Sequence, residues 1–354
     1  MTHKIRLLFC VVGLLWVPLA CAQTADHFYS TCSHDCADAK YDEAVLACQQ
    51  AIQLNPHVAK YYTLLGGIYL QQKKDNEATE ALQKAINIDP KNIDAYNILG
   101  RVYKRQSQYE QAIKILQKAL SINPQDAEAY NVLGQVYADQ NQYEQAIKTL
   151  QKALNIAPQY IEAYLCLGLV YLQQKDYGQA TEALQKTISI DPENARGYTP
   201  LSYVLLGQVY LEQKDYRQAT EALQKAISMH PEIAEAYTVL GTVYENQKQY
   251  EQAEEAFQKA ISIEHNAEAY NDLGNVYAKQ KKYEQAIGAY QDSLRNDPQY
   301  LNTYVNLGHV YKNQKQYEQA VKAYQKALSI EPQNSDAQKG LAECKQALEQ
   351  SPKP

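Results

Sequence analysis

Proline and glycine recur in this chain at a fixed spacing, which limits what the chain can fold into. Successive prolines are 34 residues apart, and each precedes a glycine by ten residues until a short insertion lengthens the last interval. The prolines are Pro56, Pro90, Pro124, Pro158 and Pro192, and the glycines are Gly66, Gly100, Gly134, Gly168 and Gly207. A period of this size is typical of stacked supersecondary units, none of which buries its apolar face alone. The spacing therefore predicts a repeat protein and not a single globular enzyme core.

One unit, residues 93–126, shows how each period folds. Its apolar and small residues follow the spacing of two amphipathic helices on either side of a polar break at 105–108. The first helix carries Tyr96, Leu99, Gly100 and Tyr103, and the second carries Ala112, Leu116 and Ala119. Gly100 has no side chain where the partner helix comes close, and Pro124 ends the second helix. Each period is predicted to be a helix–turn–helix unit.

These residues resemble the tetratricopeptide repeat (TPR) family. The family pattern of an aromatic residue, Leu-Gly, Tyr, Ala, Leu or an aromatic residue, Ala and Pro is matched by Tyr96, Leu99, Gly100, Tyr103, Ala112, Leu116, Ala119 and Pro124. Good copies begin at Ala59, Ile93, Ala127, Ile161, Pro200, Ala234, Ala267 and Leu301. The resemblance implies an all-α fold, a right-handed α-solenoid of stacked TPR helix–turn–helix repeats with a C-terminal capping helix. It also implies a scaffold whose concave groove, lined by the first helix of each repeat, binds a partner protein.

The repeat accounts for almost the whole chain. We expect a signal peptide at 1–22, a degenerate, Cys-containing TPR-like unit at 23–58, and a capping helix and tail at 335–354. The eight repeats between them are 59–92, 93–126, 127–160, 161–194, 200–233, 234–266, 267–300 and 301–334. Thr199 and Pro200 are typical of a helix N-cap followed by a first-turn proline. We therefore expect the insertion at 195–199 to be a loop.

The N-terminal segment has the pattern of an export signal. Lys4 and Arg6 precede an apolar run at 7–19, and Ala20-Cys21-Ala22 offers a small-residue cleavage site. The same residues also resemble the end of a bacterial lipobox, which would place a lipid on Cys21. We expect an exported protein, either in a bacterial periplasm or attached to the outer membrane, with membrane contact only if Cys21 is lipidated.

Three cysteines cluster in the degenerate first unit. When this unit is aligned with the repeat, Cys32 takes the glycine position of the first helix and Cys48 takes the leucine position of the second. In the TPR family these positions face each other, so the resemblance implies a Cys32–Cys48 disulfide, with Cys36 as the competing partner. Free thiols, or a metal or redox site formed by Cys32, His34 and Cys36, are the alternatives. We predict no cofactor and no metal.

Charge and motifs point away from nucleic acid and from catalysis. The formal net charge of −6 supplies no excess of cations to bind a phosphate backbone. The histidines after the signal segment are scattered, and the sequence contains no phosphate-binding Gly-rich loop and no Gly-x-Ser-x-Gly or His-Glu-x-x-His motif. We expect a protein that is not an enzyme.

The family groove, transferred to this sequence, divides into three zones. The N-terminal zone is basic and rich in amides, with Asn97, Arg101, Lys104, Arg105, Asn131 and Gln135. The middle zone is apolar, with Leu165, Leu169, Leu172, Leu201, Val204 and Leu211. This apolar patch either binds a peptide or helix of a partner, or is buried by the insertion or by self-association.

The third zone, nearest the C-terminus, is again rich in amides. It contains Glu268, Asn271, Asn275, Lys279, Asn302, His309, Lys312 and Asn313. An Asn side chain offers a donor and an acceptor to the backbone of an extended peptide, although a solvated polar face has the same composition. The resemblance to bacterial envelope TPR proteins implies a scaffold for assembly of an envelope complex. The alternative is a glycan-binding or polysaccharide-export accessory protein.

Overall fold

The computed structural model describes residues 25–193 and 197–350. The predicted signal peptide at 1–22, including Cys21, lies outside the described residues, as do residues 195 and 196 of the predicted insertion. The last four residues of the predicted tail also lie outside them.

Within these two ranges the chain folds only into helices. They form two compact units, Met1–Val170 and Tyr171–Pro354, which we call the N-terminal unit and the C-terminal unit. The helices are α1 (25–37), α2 (Tyr41–Leu54), α3 (Ala59–Gln71), α4 (Asp75–Ile88), α5 (Ile93–Arg105), α6 (Tyr109–Ile122), α7 (Ala127–Asp139), α8 (Tyr143–Ile156), α9 (Ile161–Gln173), α10 (Tyr177–Ile190), α11 (Tyr198–Glu212), α12 (Tyr216–Met229), α13 (Ala234–Asn246), α14 (Tyr250–Ile263), α15 (Ala267–Lys279), α16 (Tyr283–Asn296), α17 (Leu301–Asn313), α18 (Tyr317–Ile330) and α19 (Ser335–Gln350). None of them combines the length and the apolar character needed to cross a membrane.

The two helices of each pair are joined by the same tight turn. After α5, the Ser107 N–H donates to Lys104 O at 2.9 Å and the Gln108 N–H donates to Tyr103 O at 2.8 Å. These two bonds form a Schellman motif, which requires left-handed backbone at Ser107, where φ is 57°. The equivalent left-handed residues of the other turns are Ala39, Lys73, Asn141, Lys175, Lys214, Lys248, Lys281 and Lys315. The turn reverses the chain within three residues, so the second helix packs back on the first.

Close packing within a pair depends on the periodic glycine. A Cβ placed on Gly100 would lie 2.6 Å from Leu116 Cδ2, and one placed on Gly274 would lie 2.5 Å from Tyr290 Cε1. Leu116 and Tyr290 are themselves buried and cannot move freely away. Glycine is therefore needed for helix contact in these pairs.

The fifth repeat begins earlier than the sequence predicts. Helix α11 starts at Tyr198, directly after Gly197, so that Thr199 and Pro200 lie inside its first turn. The Thr199 hydroxyl donates to Asp191 O at 2.6 Å, and Thr199 is buried. Thr199 is therefore not the N-cap. A proline is compatible with this position because the first N–H groups of a helix have no partner inside it.

The degenerate first unit contains a disulfide. Cys32 on α1 is bonded to Cys48 on α2, and their Cα atoms are 5.3 Å apart. Both residues are buried in one cluster with Leu65 and Ile68, and the free, half-buried Cys36 packs against it. Burial raises the pKa of the Cys36 thiol. The bridge therefore links α1 to α2 covalently.

Helix α19 covers the last pair. Ala337 and Cys344 are buried against Tyr324 of α18, and Leu341 is half-buried beside them. Leu348, predicted to extend the same apolar stripe, is 37% exposed. The buried contact of the capping helix therefore ends before its last turn.

Candidate functional site

The basic side chains predicted to line the N-terminal zone are paired within the fold. Arg101 Nη2 lies 2.8 Å from Glu128 Oε1, and Lys104 Nζ donates to Gln135 Oε1 at 2.6 Å. Arg105 bonds to the Asp75 carboxylate and to Leu70 O. The charges of this zone are largely used to connect successive repeats, so little cationic surface is left for an anionic ligand.

The two asparagines of the same zone are core residues. Asn97 and Asn131 are each only 1% exposed. Asn97 Nδ2 donates to Asp126 Oδ2 at 2.8 Å, and Asp126 Oδ1 accepts from Glu128 N at the start of α7. Asn97 therefore orients the cap of the next repeat and is not a free peptide-binding amide.

A pocket of about 390 Å³ opens beside these residues and contains charges of both signs. It is lined by Tyr29, Lys60, Thr63, Leu64, Gly67, Asn92, Asp94, Ile98, Arg101 and Glu128. Lys60 is held by Asp26 at 3.2 Å and lies over the Tyr29 ring. Burial raises the pKa of Glu128, and the Arg101 charge opposes this shift. Both cations of this pocket, Lys60 and Arg101, are therefore already paired with carboxylates.

Two residues of the predicted apolar zone belong to the core. Val204 is fully buried among Ala219 and Leu223 of the C-terminal unit, and Leu165 of the N-terminal unit is buried as well. Leu165 and Val204 are each the fifth residue of their repeat, counted from the first residue of the ranges given above. The predictions that they are accessible groove residues are wrong, because the side chain at this position is buried in all but the last repeat, whatever its type. The buried residues at this position are Thr63, Asn97, Asn131, Leu165, Val204, Thr238 and Asn271.

The remaining leucines of that zone keep partial exposure. Leu169 is 38% exposed in the N-terminal unit, whereas Leu172 and Leu211 of the C-terminal unit are half-buried. Among the described apolar residues predicted to line the groove, Leu169 is thus the single exposed side chain. One such leucine is ordinary for a soluble surface.

The C-terminal unit contains a pocket of a different kind, built on α15 and α17. Its volume is about 360 Å³, and nearly every side chain around it is polar. We call it the amide–carboxylate pocket. It is lined by Glu268, Asn271, Asp272, Asn275, Tyr300, Asn302, Val305, Asn306, His309, Asn334 and Asp336.

An amide network holds the floor of the amide–carboxylate pocket. Asn306 Nδ2 on α17 donates to Asn271 Oδ1 and to Asn275 Oδ1 on α15, both at 3.0 Å. The Tyr290 hydroxyl donates to Asn275 Oδ1 at 2.8 Å, and the Thr303 hydroxyl donates to Asn271 Oδ1 at 3.1 Å. The two predicted site residues, Asn271 and Asn275, are therefore together in one site, and both of their oxygens are fully used inside it.

Asp272 lies at the centre of this network. Asn271 Nδ2 and Asn275 Nδ2 donate to Asp272 Oδ1 at 3.1 and 3.4 Å. Burial raises the pKa of Asp272 to about 7, with the charges of Glu268 and Glu245 acting in the same direction and the two amide bonds opposing them. A half-buried carboxyl that loses its proton near pH 7 is unusual for a structural position.

No positive charge compensates the acids of this pocket. Among the described residues, no cation lies within ion-pair distance of Glu268, Asp272 or Asp336. The nearby lysines pair elsewhere, Lys279 with Glu245 at 2.9 Å and Lys312 with Glu343 at 2.8 Å.

The pocket histidine does not supply the missing positive charge either. Burial and the charge of Lys312 lower the pKa of His309, so that its imidazole is neutral at pH 7. The pocket is therefore negatively charged whenever Asp272 is ionised.

Sequence reasoning missed Asp272 and Asn306 because both occupy the sixth position of the repeat, which is not a groove position in the family. The signal was nevertheless present in the repeat alignment. The sixth position is apolar in the six preceding repeats, with Leu64, Ile98, Val132, Cys166, Leu205 and Val239. Burial raises the pKa of Cys166 to about 11, as expected for this environment. Comparing the sixth residue of all eight repeats would have identified Asp272 and Asn306 as the two polar exceptions.

Other surface depressions recur with the repeat. A crevice of about 330 Å³ in the C-terminal unit contains Tyr203, Tyr210 and Lys225. Its counterpart in the N-terminal unit, of about 340 Å³, contains the equivalent Tyr62, Tyr69 and Lys84. Because these crevices repeat, they belong to the scaffold. The described part of the chain contains no group of three or more side chains arranged to hold a metal ion.

Three family models match the chain: two describe tetratricopeptide repeats, and one describes an ARM domain of a tetratricopeptide repeat protein. The model of the tetratricopeptide repeat protein 21 C-terminal ARM domain matches residues 128–303. The model of the cytochrome c-type biogenesis protein H TPR domain matches 32–164, and the model of the tetratricopeptide repeat matches 302–334. No curated protein matches the chain significantly.

Solved structures resemble the fold across most of the chain. The Cut9–Hcn1 hetero-tetramer of the APC/C has a TM-score of 0.59 at 18% identity, covering 90% of this chain and 76% of that one. A tetratricopeptide repeat protein from Parabacteroides merdae has a TM-score of 0.56 at 21% identity, covering 72% and 99%. Pseudomonas aeruginosa pilF has a TM-score of 0.51 at 24% identity, covering 61% and 97%. The repeat pattern, the paired helices and these matches place the chain in the tetratricopeptide repeat family.

Proposed function

We propose that this protein is a non-enzymatic scaffold that binds an extended segment of a partner protein, with the amide–carboxylate pocket of the C-terminal unit as its principal contact. Tetratricopeptide repeat proteins generally mediate protein–protein interactions, which supports the general class. The choice of this pocket is specific to the present chain. The basic N-terminal zone is less suitable because its charged side chains are paired within the fold. The apolar zone is less suitable because Leu165 and Val204 are buried and, among its described residues, only Leu169 is exposed.

The observation that carries the proposal is the replacement of apolar core residues by Asp272 and Asn306. Val132, Leu205 and Val239 occupy the same position in other repeats and are buried. Burying a carboxyl and an amide there costs free energy relative to packing valine, even when hydrogen bonds are made. A departure that weakens the fold and creates a polar pocket is expected at a functional site.

We further propose that the protein is exported and acts in assembly of an envelope complex. The Cys32–Cys48 disulfide supports export because such bonds persist in oxidising compartments. The match of residues 32–164 to a TPR domain of a cytochrome c-type biogenesis protein is compatible with an assembly role. The signal pattern at 1–22 remains the sequence argument for the same conclusion.

Site-specific photocrosslinking tests the binding proposal. A photoreactive amino acid at Asn302, which is exposed at the pocket, should crosslink a partner in the native envelope fraction, whereas the same residue at Gln325 on the exposed face of α18 should not. Mass spectrometry would identify the partner.

The decisive variant places apolar residues at positions 272 and 306, as in the other repeats, and so removes the polar pocket. The double substitution Asp272→Val and Asn306→Val should raise the melting temperature of the C-terminal unit and abolish the Asn302 crosslink. If the crosslink persists in this folded variant, the pocket is not the principal contact. A crosslink pattern that favours Gln325 over Asn302 would contradict the proposal as well.

A further inference from the structure

The hydrogen-bonding groups left free in the amide–carboxylate pocket are mainly acceptors. The Asn306 amide donates two hydrogen bonds inside the network, and Asn271 and Asn275 donate one each. Within the described structure, Asn306 Oδ1 and the carboxylates of Glu268 and Asp336 have no hydrogen-bond donor. Asp272 uses one oxygen, Oδ1, for both amide bonds. A ligand that fits this pocket must therefore bring several donors.

The pocket also requires positive charge from its ligand. Glu268 and Asp272 lie on α15 and Asp336 lies on α19, and Glu245 of α13 contributes to the same negative field. Facing them are Tyr290 of α16 and Tyr300 and His309, which carry no positive charge at pH 7. Since Lys279 and Lys312 are held by Glu245 and Glu343, the acids of the pocket are not neutralised by the protein itself.

We propose that the amide–carboxylate pocket binds the guanidinium group of an arginine side chain in the partner segment. A guanidinium carries one delocalised charge and five N–H donors in a planar arrangement. Its five donors are sufficient in number for two carboxylates and the Asn306 oxygen together. An ammonium has three donors on a single point and is more strongly hydrated, so it satisfies fewer of these separated acceptors.

This inference rests on the proposed function, because it names the side chain that the partner segment would place in the pocket. It also predicts that the affinity for the partner segment depends on pH. Ionised Asp272 attracts the guanidinium, and protonated Asp272 does not. Protonation of His309 at lower pH would repel a cation and acts in the same direction.

Binding of defined peptides to the purified mature chain tests the inference. The probe is the peptide acetyl-Ala-Ala-Arg-Ala-Ala-amide, and the matched control replaces arginine by citrulline, which has nearly the same shape without the charge. Isothermal titration calorimetry at pH 8 should show at least a tenfold preference for the arginine peptide. The affinity for this peptide should fall at least tenfold between pH 8 and pH 5.5.

Two substitutions with a matched control locate the binding. Asp272→Asn should weaken arginine-peptide binding about tenfold and remove most of its pH dependence. Glu268→Gln, at an exposed position that does not affect folding of the core, should weaken binding severalfold. Glu235→Gln, at the equivalent position of the preceding repeat and outside the pocket, should leave the affinity unchanged.

Three outcomes would overturn the assignment. They are equal affinity for the arginine and citrulline peptides, a lysine peptide that binds as tightly as the arginine peptide, and equal weakening by Glu235→Gln and Glu268→Gln. If any of these occurs while the Asn302 crosslink persists, the arginine assignment fails and the scaffold function stands. If the crosslink from Asn302 is not observed but the arginine peptide is still preferred, the proposal that the pocket contacts a partner protein fails instead.

Discussion

Replacing Asp272 by asparagine should stabilise the protein at neutral and alkaline pH. In the folded protein the pKa of Asp272 is about 7, compared with 3.8 for the same group in an unfolded chain. Between these values the folded state binds a proton that the unfolded state has released. The free energy of unfolding of the wild type therefore falls as the pH rises from about 4 to about 7. Above about pH 7 both states are ionised at this residue, and the loss is complete.

The size of the effect follows from the difference between the two pKa values. At about 1.4 kcal/mol per pH unit, the ionised carboxyl costs the folded state at most about 4 kcal/mol. The amide in Asp272→Asn keeps one oxygen to accept the bonds from Asn271 and Asn275, and it never ionises. We therefore expect similar stability of the two proteins at pH 4.5, and a gain for the variant that grows to about 2–4 kcal/mol at pH 8.

Urea denaturation followed by circular dichroism from pH 4.5 to pH 8 measures this difference. Titration of all other groups is common to both proteins and cancels in the comparison. Glu232→Gln, which removes an exposed carboxylate of the same unit, is the control and should give a pH-independent difference near zero. A stability difference between wild type and Asp272→Asn that is constant over the whole range would refute the reasoning, because it would mean that Asp272 titrates alike in both states.

Three further predictions concern the scaffold. Gly274→Ala should lower the free energy of unfolding by about 1–3 kcal/mol, because its Cβ would lie 2.5 Å from Tyr290 Cε1. Gly288→Ala, with no atom within 4 Å of the added Cβ, should instead be neutral or stabilising, and thermal melts that rank the two variants alike would contradict the packing argument. Lys248→Gly should stabilise the C-terminal unit by about 1 kcal/mol in urea titrations, since φ at Lys248 is 61° and glycine adopts this conformation without the cost. Cys48→Ala should destabilise the N-terminal unit by about 2–3 kcal/mol under oxidising conditions, and unchanged hydrogen exchange in α1 and α2 would count against a stabilising bridge.

Much of the fold was predictable because repeat proteins encode it locally. The 34-residue period, the helical spacing around Leu99 and Gly100, and the alignment of Cys32 with Cys48 all depend on neighbouring residues or on adjacent units. Such contacts produce a regular pattern of residues in the sequence. The start of α11 at Tyr198 was missed since the hydrogen bond from Thr199 to Asp191 O links residues across the insertion.

The sequence by itself determined the helix pairs, the periodic glycine contacts and the family of this protein. Only the tertiary structure decided which polar residues are available to a ligand. Asn97 and Asn271 have the same place in the repeat, and both are buried, yet one orients a helix cap and the other forms the wall of a pocket. The reason is physical: charge compensation is a property of all the side chains that surround a group, and these come from several helices. Arg101 lies 2.8 Å from Glu128, whereas Asp272 has no cation within ion-pair distance among the described residues. The order of residues along the chain does not show this difference.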